Sequence, residues 1–240
     1  MGEVEEAITH FSRAVQFEPK MAGARHNLAV ALLQDGRTEE AVTHLVQALE
    51  ISPNDPGINN HLGIAFGRLG RIEEAGKRFS EAIRIDPHRP GTYKNLGFVL
   101  NEQGRTGEAI EQFRQALRLH PGWPEVANDL AWIHATCADP SYRDGEEAVR
   151  LAELATAGTD NSQPAFLDTL AAAYAEAGRF EQAIRTAEQA INLARSKGET
   201  KLAEGILARQ QLYQAHKPFR ENGSNSDLTN SENSDNDEMH

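Results

Sequence analysis

Imidazole and thiolate are the side chains with the broadest chemistry, as metal ligands, proton carriers and nucleophiles. This chain has nine histidines (His10, His26, His44, His61, His88, His120, His134, His216 and His240) and one cysteine, Cys137. No two histidines stand four residues apart, and a single cysteine cannot supply a thiolate pair, so the spacing of a zinc site is missing. His134 and Cys137 are three residues apart on one helix face. With no third group to orient the imidazole, they read as helix neighbours rather than a catalytic dyad. The glycines form neither a Walker loop nor a Gly-x-Gly-x-x-Gly turn. No catalytic residue, metal or cofactor is therefore expected, and the chain is not expected to be an enzyme.

The glycines instead mark a period. Gly2, Gly36, Gly70 and Gly104 are each 34 residues apart. Ala7, Ala41, Ala75 and Ala109 keep the same step, as do Ala14, Ala48, Ala82 and Ala116, and Pro19, Pro53, Pro87 and Pro121. Four positions holding one period signal a repeat architecture. Within residues 56–89 a first helix begins at Pro56, a residue suited to a helix start, and stops at Gly70, which accepts the left-handed cap conformation. A second helix presents Ile72, Ala75, Phe79, Ala82 and Ile83 on one face and ends at Pro87. Gly63 on the first helix leaves room for the second to pack close. Such a pair buries its faces only by stacking on neighbours.

Composition agrees with helices and narrows the partners. Formal net charge is -12, and residues 221–240 hold six acids (Glu221, Asp227, Glu232, Asp235, Asp237 and Glu238) with no Lys or Arg. The body is only mildly acidic, which argues against nucleic acid as a partner. No segment has the roughly 18 apolar residues that span a bilayer, so no membrane insertion is expected. The first nine residues carry three glutamates and no basic residue, unlike a secretory signal. If the chain is complete, that places it in the cytoplasm; for a fragment of a longer membrane-anchored protein it sets no compartment.

Leu62-Gly63, Phe66, Gly70, Ala75, Phe79, Ala82 and Pro87 together resemble the tetratricopeptide repeat. Tyr93, Leu96-Gly97, Leu100, Gly104, Ala109, Phe113, Ala116 and Pro121 match as well, as do Leu28-Ala29, Leu32, Gly36, Ala41, Leu45, Ala48 and Pro53, with Arg25 where the family often has an aromatic. The resemblance runs over residues 1 to about 197. It implies an all-α, right-handed superhelical solenoid of antiparallel helix pairs. The expected divisions are a half repeat at 1–21, repeats at 22–55, 56–89, 90–123, 124–163 and 164–197, a capping helix at 198–216 and a disordered acidic tail at 217–240. The capping helix should use Leu202, Ile206, Leu207 and Leu212. In the fifth repeat the inter-helix turn lengthens over 138–144. The half repeat leaves Ala7, Phe11 and Ala14 without a partner helix, so self-association or fraying is expected there.

The resemblance also implies a function: a scaffold or adaptor that binds a partner protein or peptide in the concave groove lined by first helices. Repeat position 5 gives His26, Asn60, Lys94, Asn128 and Asp168; position 9 gives Val30, Ile64, Phe98, Trp132 and Ala172; position 13 gives Gln34, Arg68, Glu102, Thr136 and Glu176. Phe98 and Trp132 are either groove anchors or ordinary packing residues. Asn27 and Asn95 resemble the asparagine ladder of O-GlcNAc transferase repeats, but His61, Asp129 and Thr169 break it, so a bond to a neighbouring helix or to water competes with peptide binding. The expected partner-binding set is Asn27, Asn60, Lys94, Asn95, Phe98, Asn128 and Trp132. The chaperone-tail carboxylate clamp is not expected, because Phe98 follows Lys94 at the fourth residue. The segment from Leu130 onward resembles the C-terminal part of bacterial repeat proteins, some of which carry glycosyltransferase domains. The alternative function is accordingly a substrate-recruiting arm of a bacterial protein glycosyltransferase-like system, separated from its catalytic domain.

Overall fold

The computed structural model describes residues 2–221, and among these every regular element is helical. Residues 222–240, the bulk of the expected tail, lie outside the described residues. The helices are α1 (Gly2–Phe17), α2 (Ala22–Gln34), α3 (Thr38–Ile51), α4 (Pro56–Arg68), α5 (Ile72–Ile85), α6 (Pro90–Glu102), α7 (Thr106–Leu119), α8 (Pro124–Thr136), α9 (Gly145–Ala157), α10 (Pro164–Glu176), α11 (Phe180–Ser196) and α12 (Thr200–Gln214). One 3-10 turn, Pro140–Tyr142, lies in the lengthened loop. The chain forms two compact units, Met1–Val126 and Ala127–His240, which divide within α8.

In the first unit the sequence punctuation acts as expected. The Asp55 carboxylate accepts from the Ile58 amide at 2.9 Å and caps α4, whose first residue is Pro56. Gly70 and Gly104 end α4 and α6 with φ of 70° and 72°. The amide after each reaches back to a carbonyl of the last helical turn, Arg71 to Phe66 and Arg105 to Leu100, both at 2.9 Å. An exposed ion pair recurs with the period at the start of each second helix: Arg37 with Glu40, Arg71 with Glu74 and Arg105 with Glu108. The core is small and aliphatic where helices cross, with Ala41, Ala48, Ala75, Ala82, Ala109 and Ala116 fully buried.

Gly63 on α4 and Gly97 on α6 are close-approach positions, but the group they admit is aromatic. A Cβ on Gly63 would lie 2.6 Å from the Phe79 ring, and one on Gly97 would lie 2.9 Å from the Phe113 ring. Both rings are buried, so neither can move aside without opening the core. On α1, Ala7, Phe11 and Ala14 are half-buried, no residue is fully buried, and Phe17 is 93 % exposed.

The second unit closes on α12, which packs on α11 and α10. Ala203, Ile206, Gln210 and Tyr213 form its buried stripe, at alternating three- and four-residue steps. Leu207 and Leu212, expected in that stripe, are 37 % exposed. They fall off the face that the 3.6-residue period turns inward, and Tyr213 takes the interior place. Residues 217–221, expected as the start of the tail, pack onto this unit instead, and Phe219 joins its apolar cluster.

Candidate functional site

Consecutive first helices of the first unit meet through side chains 35 residues apart. His26 on α2 and His61 on α4 share a hydrogen bond of 2.9 Å between Nε2 and Nδ1, and their rings meet edge to face at 4.8 Å. His61 Nδ1 also lies 2.9 Å from the Gly57 carbonyl. Burial lowers the His26 imidazole to about 4, aided by the neighbouring His61, and burial likewise lowers His61. Both rings are therefore neutral at neutral pH, which suits their mutual bond. One helix further, the Asn95 amide on α6 donates to Asn60 Oδ1 on α4 at 3.3 Å. The broken ladder thus gives Asn95 a neighbouring helix as partner, one position away from the expected rung at His61.

Around this amide pair, the first unit exposes one large aromatic on its first helices. Phe98 on α6 is 44 % exposed. Lys94, one turn earlier, is half-buried, with its ammonium 4.8 Å from the Trp123 ring centroid. That indole is buried and meets His120 edge to face at 5.3 Å. Asn27 is exposed on α2. A ligand on this face would meet an aromatic ring flanked by a cation and two amides. The Asn60–Asn95 bond uses one amide hydrogen and one carbonyl lone pair, so the pair retains hydrogen-bonding groups for a peptide backbone.

In the second unit the same repeat positions carry a different site. Asn128 is half-buried and its Oδ1 is buried without a partner. Trp132 is half-buried, and its indole N–H donates to Glu221 Oε1 at 2.7 Å. The Phe219 ring lies 5.9 Å away, and the Arg209 guanidinium stands 5.7 Å from the indole and 5.5 Å from Phe219. Arg209 is itself fixed by two bonds to the buried Asp168 carboxylate, at 3.0 and 2.5 Å. Burial pushes the Asp168 carboxyl up while Arg209 pulls it down. Glu176, at position 13, pairs with Arg143 at 3.2 Å and with Arg220 at 2.5 Å. Sequence reasoning placed Trp132, Asp168 and Glu176 on one face but missed their partners, residues 219–221 on Trp132 and Glu176 and Arg209 on Asp168.

His134 Nδ1 lies 2.7 Å from the Tyr142 carbonyl and fastens the long loop. Burial raises the Cys137 thiol, which keeps it protonated and poorly nucleophilic at neutral pH. Among the described residues, no three His, Cys, Asp or Glu side chains gather as a metal ligand set. Nor, among them, is any helix long and apolar enough to cross a membrane.

Family models describe three stretches of the chain as tetratricopeptide repeats: residues 31–70 (TPR repeat), and 55–122 and 167–201 (Tetratricopeptide repeat). No curated protein matches it. Several solved structures share the fold. PilW, a type IV pilus biogenesis factor, is 20% identical with a TM-score of 0.70, over 86% of this chain and 91% of its own. YrrB, described as a TPR protein with an unusual peptide-binding site, is 19% identical with a TM-score of 0.67, over 82% and 97%. The MamA protein is 15% identical with a TM-score of 0.63, over 74% and 94%.

Proposed function

The chain belongs to the tetratricopeptide repeat family, and from that premise we propose that it is an interaction scaffold that binds an extended segment of a partner protein on its first-helix faces. In the first unit that face carries Asn27, Asn60, Lys94, Asn95 and Phe98; in the second it carries Asn128 and Trp132. The observation that supports the reading best is the 44 % exposure of Phe98 beside the Asn60–Asn95 pair and Lys94. Binding energy at interfaces concentrates in a few aromatic and cationic anchors, and the surrounding amides fix the register of a peptide backbone. YrrB, of the same fold, carries a peptide-binding site, which is consistent with this use of the fold.

The test is a panel of random extended peptides displayed against the full chain, with Phe98→Ala as the counter-screen. Removal of a central aromatic anchor costs about 2 kcal/mol or more, a loss of roughly thirtyfold in affinity. Selected peptides should therefore weaken by that factor on Phe98→Ala while the circular dichroism spectrum stays helical. Peptides that bind both chains equally well would move the site away from α6.

A further inference from the structure

Helix α12 ends at Gln214, and the chain then turns through His216, whose φ of 54° is left-handed. A non-glycine residue adopts that conformation only when its surroundings hold it. Here the His216 ring stacks on Phe180 at 5.1 Å, 19° from parallel, and the Lys217 amide returns to the Leu212 carbonyl at 2.9 Å. The turn delivers residues 219–221 to α8 and α10. Each of the three then makes its own contacts. Phe219 lies against Trp132 and Arg209. Arg220 pairs with Glu176 and reaches the Ala135 carbonyl at 3.3 Å. Glu221 accepts from the Trp132 indole through its carboxylate, and its amide donates to the Thr136 carbonyl at 2.9 Å.

These contacts resemble those of a peptide docked on a receptor, with Phe219 packed against the apolar cluster from its edge. Phe219, Arg220 and Glu221 remain half-exposed. Their recognition combines a main-chain bond, an aromatic placed beside an indole and a guanidinium, one charge-assisted hydrogen bond and one ion pair. The receptor groups have independent supports: Asp168 holds Arg209, and Arg143 holds Glu176. A site fixed by its own partners is ready for its ligand before the ligand arrives. We infer that the Trp132, Thr136, Asp168–Arg209 and Glu176 surface is a binding site for an extended segment that reads aromatic–arginine–glutamate, and that residues 219–221 are its resident occupant. A partner segment of the same pattern gains this site by displacing them. The inference extends the reading of first-helix faces as peptide sites but depends on no residue of the first unit.

A short tether holds an occupant at an effective concentration in the millimolar range. An occupant that is docked most of the time then has an intrinsic Kd of about 0.1 mM or tighter. The probe is the blocked peptide Lys-Pro-Phe-Arg-Glu, titrated into the full chain and into the full chain carrying Phe219→Ala with Glu221→Ala. The variant should bind it with a Kd of about 0.1 mM or tighter and shift the Trp132 indole resonance, and the unsubstituted chain should bind at least about tenfold more weakly. Equal binding to both chains, or no binding to a variant with an unchanged helical spectrum, overturns the inference. A second measurement covers a variant that fails to fold. In the unsubstituted chain the Glu221 amide should exchange with solvent at least about tenfold faster than the Ile206 and Tyr213 amides, because the segment opens without global unfolding. Exchange of all three at one rate makes the segment part of the core and overturns the inference. Neither readout involves Phe98, so a failure here leaves the first-unit site standing, and the reverse holds.

Discussion

Trp132 and Glu221, 89 positions apart, share a hydrogen bond of 2.7 Å, the indole N–H donating to the carboxylate. Ending the chain at Glu221 should leave the melting temperature unchanged. Ending it at His216 removes Phe219 from the apolar cluster and the Arg220 partner from Glu176. That loss should cost about 1–3 kcal/mol, which for a domain of this size lowers Tm by about 2–4 °C per kcal/mol. Identical melting of the two shortened chains would show that residues 217–221 contribute nothing to stability.

Among the described residues, Asp168 and Arg209 form the most buried ion pair of the second unit, with side chains 6 % and 18 % exposed. Asp168→Ala strands the guanidinium beside Trp132 and Phe219, and breaking such a pair costs about 3–5 kcal/mol. Joint replacement by Asp168→Leu and Arg209→Met should recover much of that loss, because the desolvation penalty disappears with the charges. Thermal melts of the three chains decide it. A double variant less stable than Asp168→Ala would contradict the assignment.

Gly145 opens α9 against the end of α10. A Cβ there would stand 2.7 Å from the Ala177 backbone nitrogen, and backbone yields less than a side-chain tip. Gly145→Ala should destabilise by about 1–3 kcal/mol. Gly67, on α4, is open instead: a methyl group added there would meet nothing within 4 Å. Gly67→Ala should therefore stabilise by about 0.4–1 kcal/mol through the unfolded chain. Denaturant midpoints that move in the same direction for both would refute the distinction.

The His26–His61 pair should make stability depend on pH. His26 titrates near 4 when folded against an ordinary 6.5, because burial and His61 outweigh Asp55, while Arg89 lowers it further. His61 is lowered by burial and Arg89, against the Gly57 carbonyl and Asp55. The unfolded chain therefore binds more protons between these values, and stability falls as pH drops from 6.5 toward 4. Tm measured across that interval should fall less for a His26→Gln, His61→Gln chain than for the original. Parallel slopes would assign the acid sensitivity elsewhere.

The repeat was legible because its physics is local and periodic. Gly63, Gly97, Gly70 and Pro56 each declare a close approach, a cap or a start within one 34-residue unit. The candidate face of the first unit was legible for the same reason: Asn60, Asn95 and Phe98 hold fixed places in the period. Contacts outside the period were not. Tyr213 becomes buried through tertiary packing in a helix where two leucines are the more apolar candidates. Gly145 is explained only by the backbone of Ala177. No local pattern announces that Phe219 and Glu221 will meet Trp132, because the pairing depends on how α12 is turned and where His216 sends the chain.

A photo-crosslinking amino acid at position 98 gives the most direct test of the scaffold reading, with the exposed second-helix position 84 as its control. Irradiation in cells of the source, or with a selected peptide, should yield a covalent adduct from position 98 and little from position 84. Adducts that form at 84 and not at 98 would place binding on the second-helix surface and contradict the account.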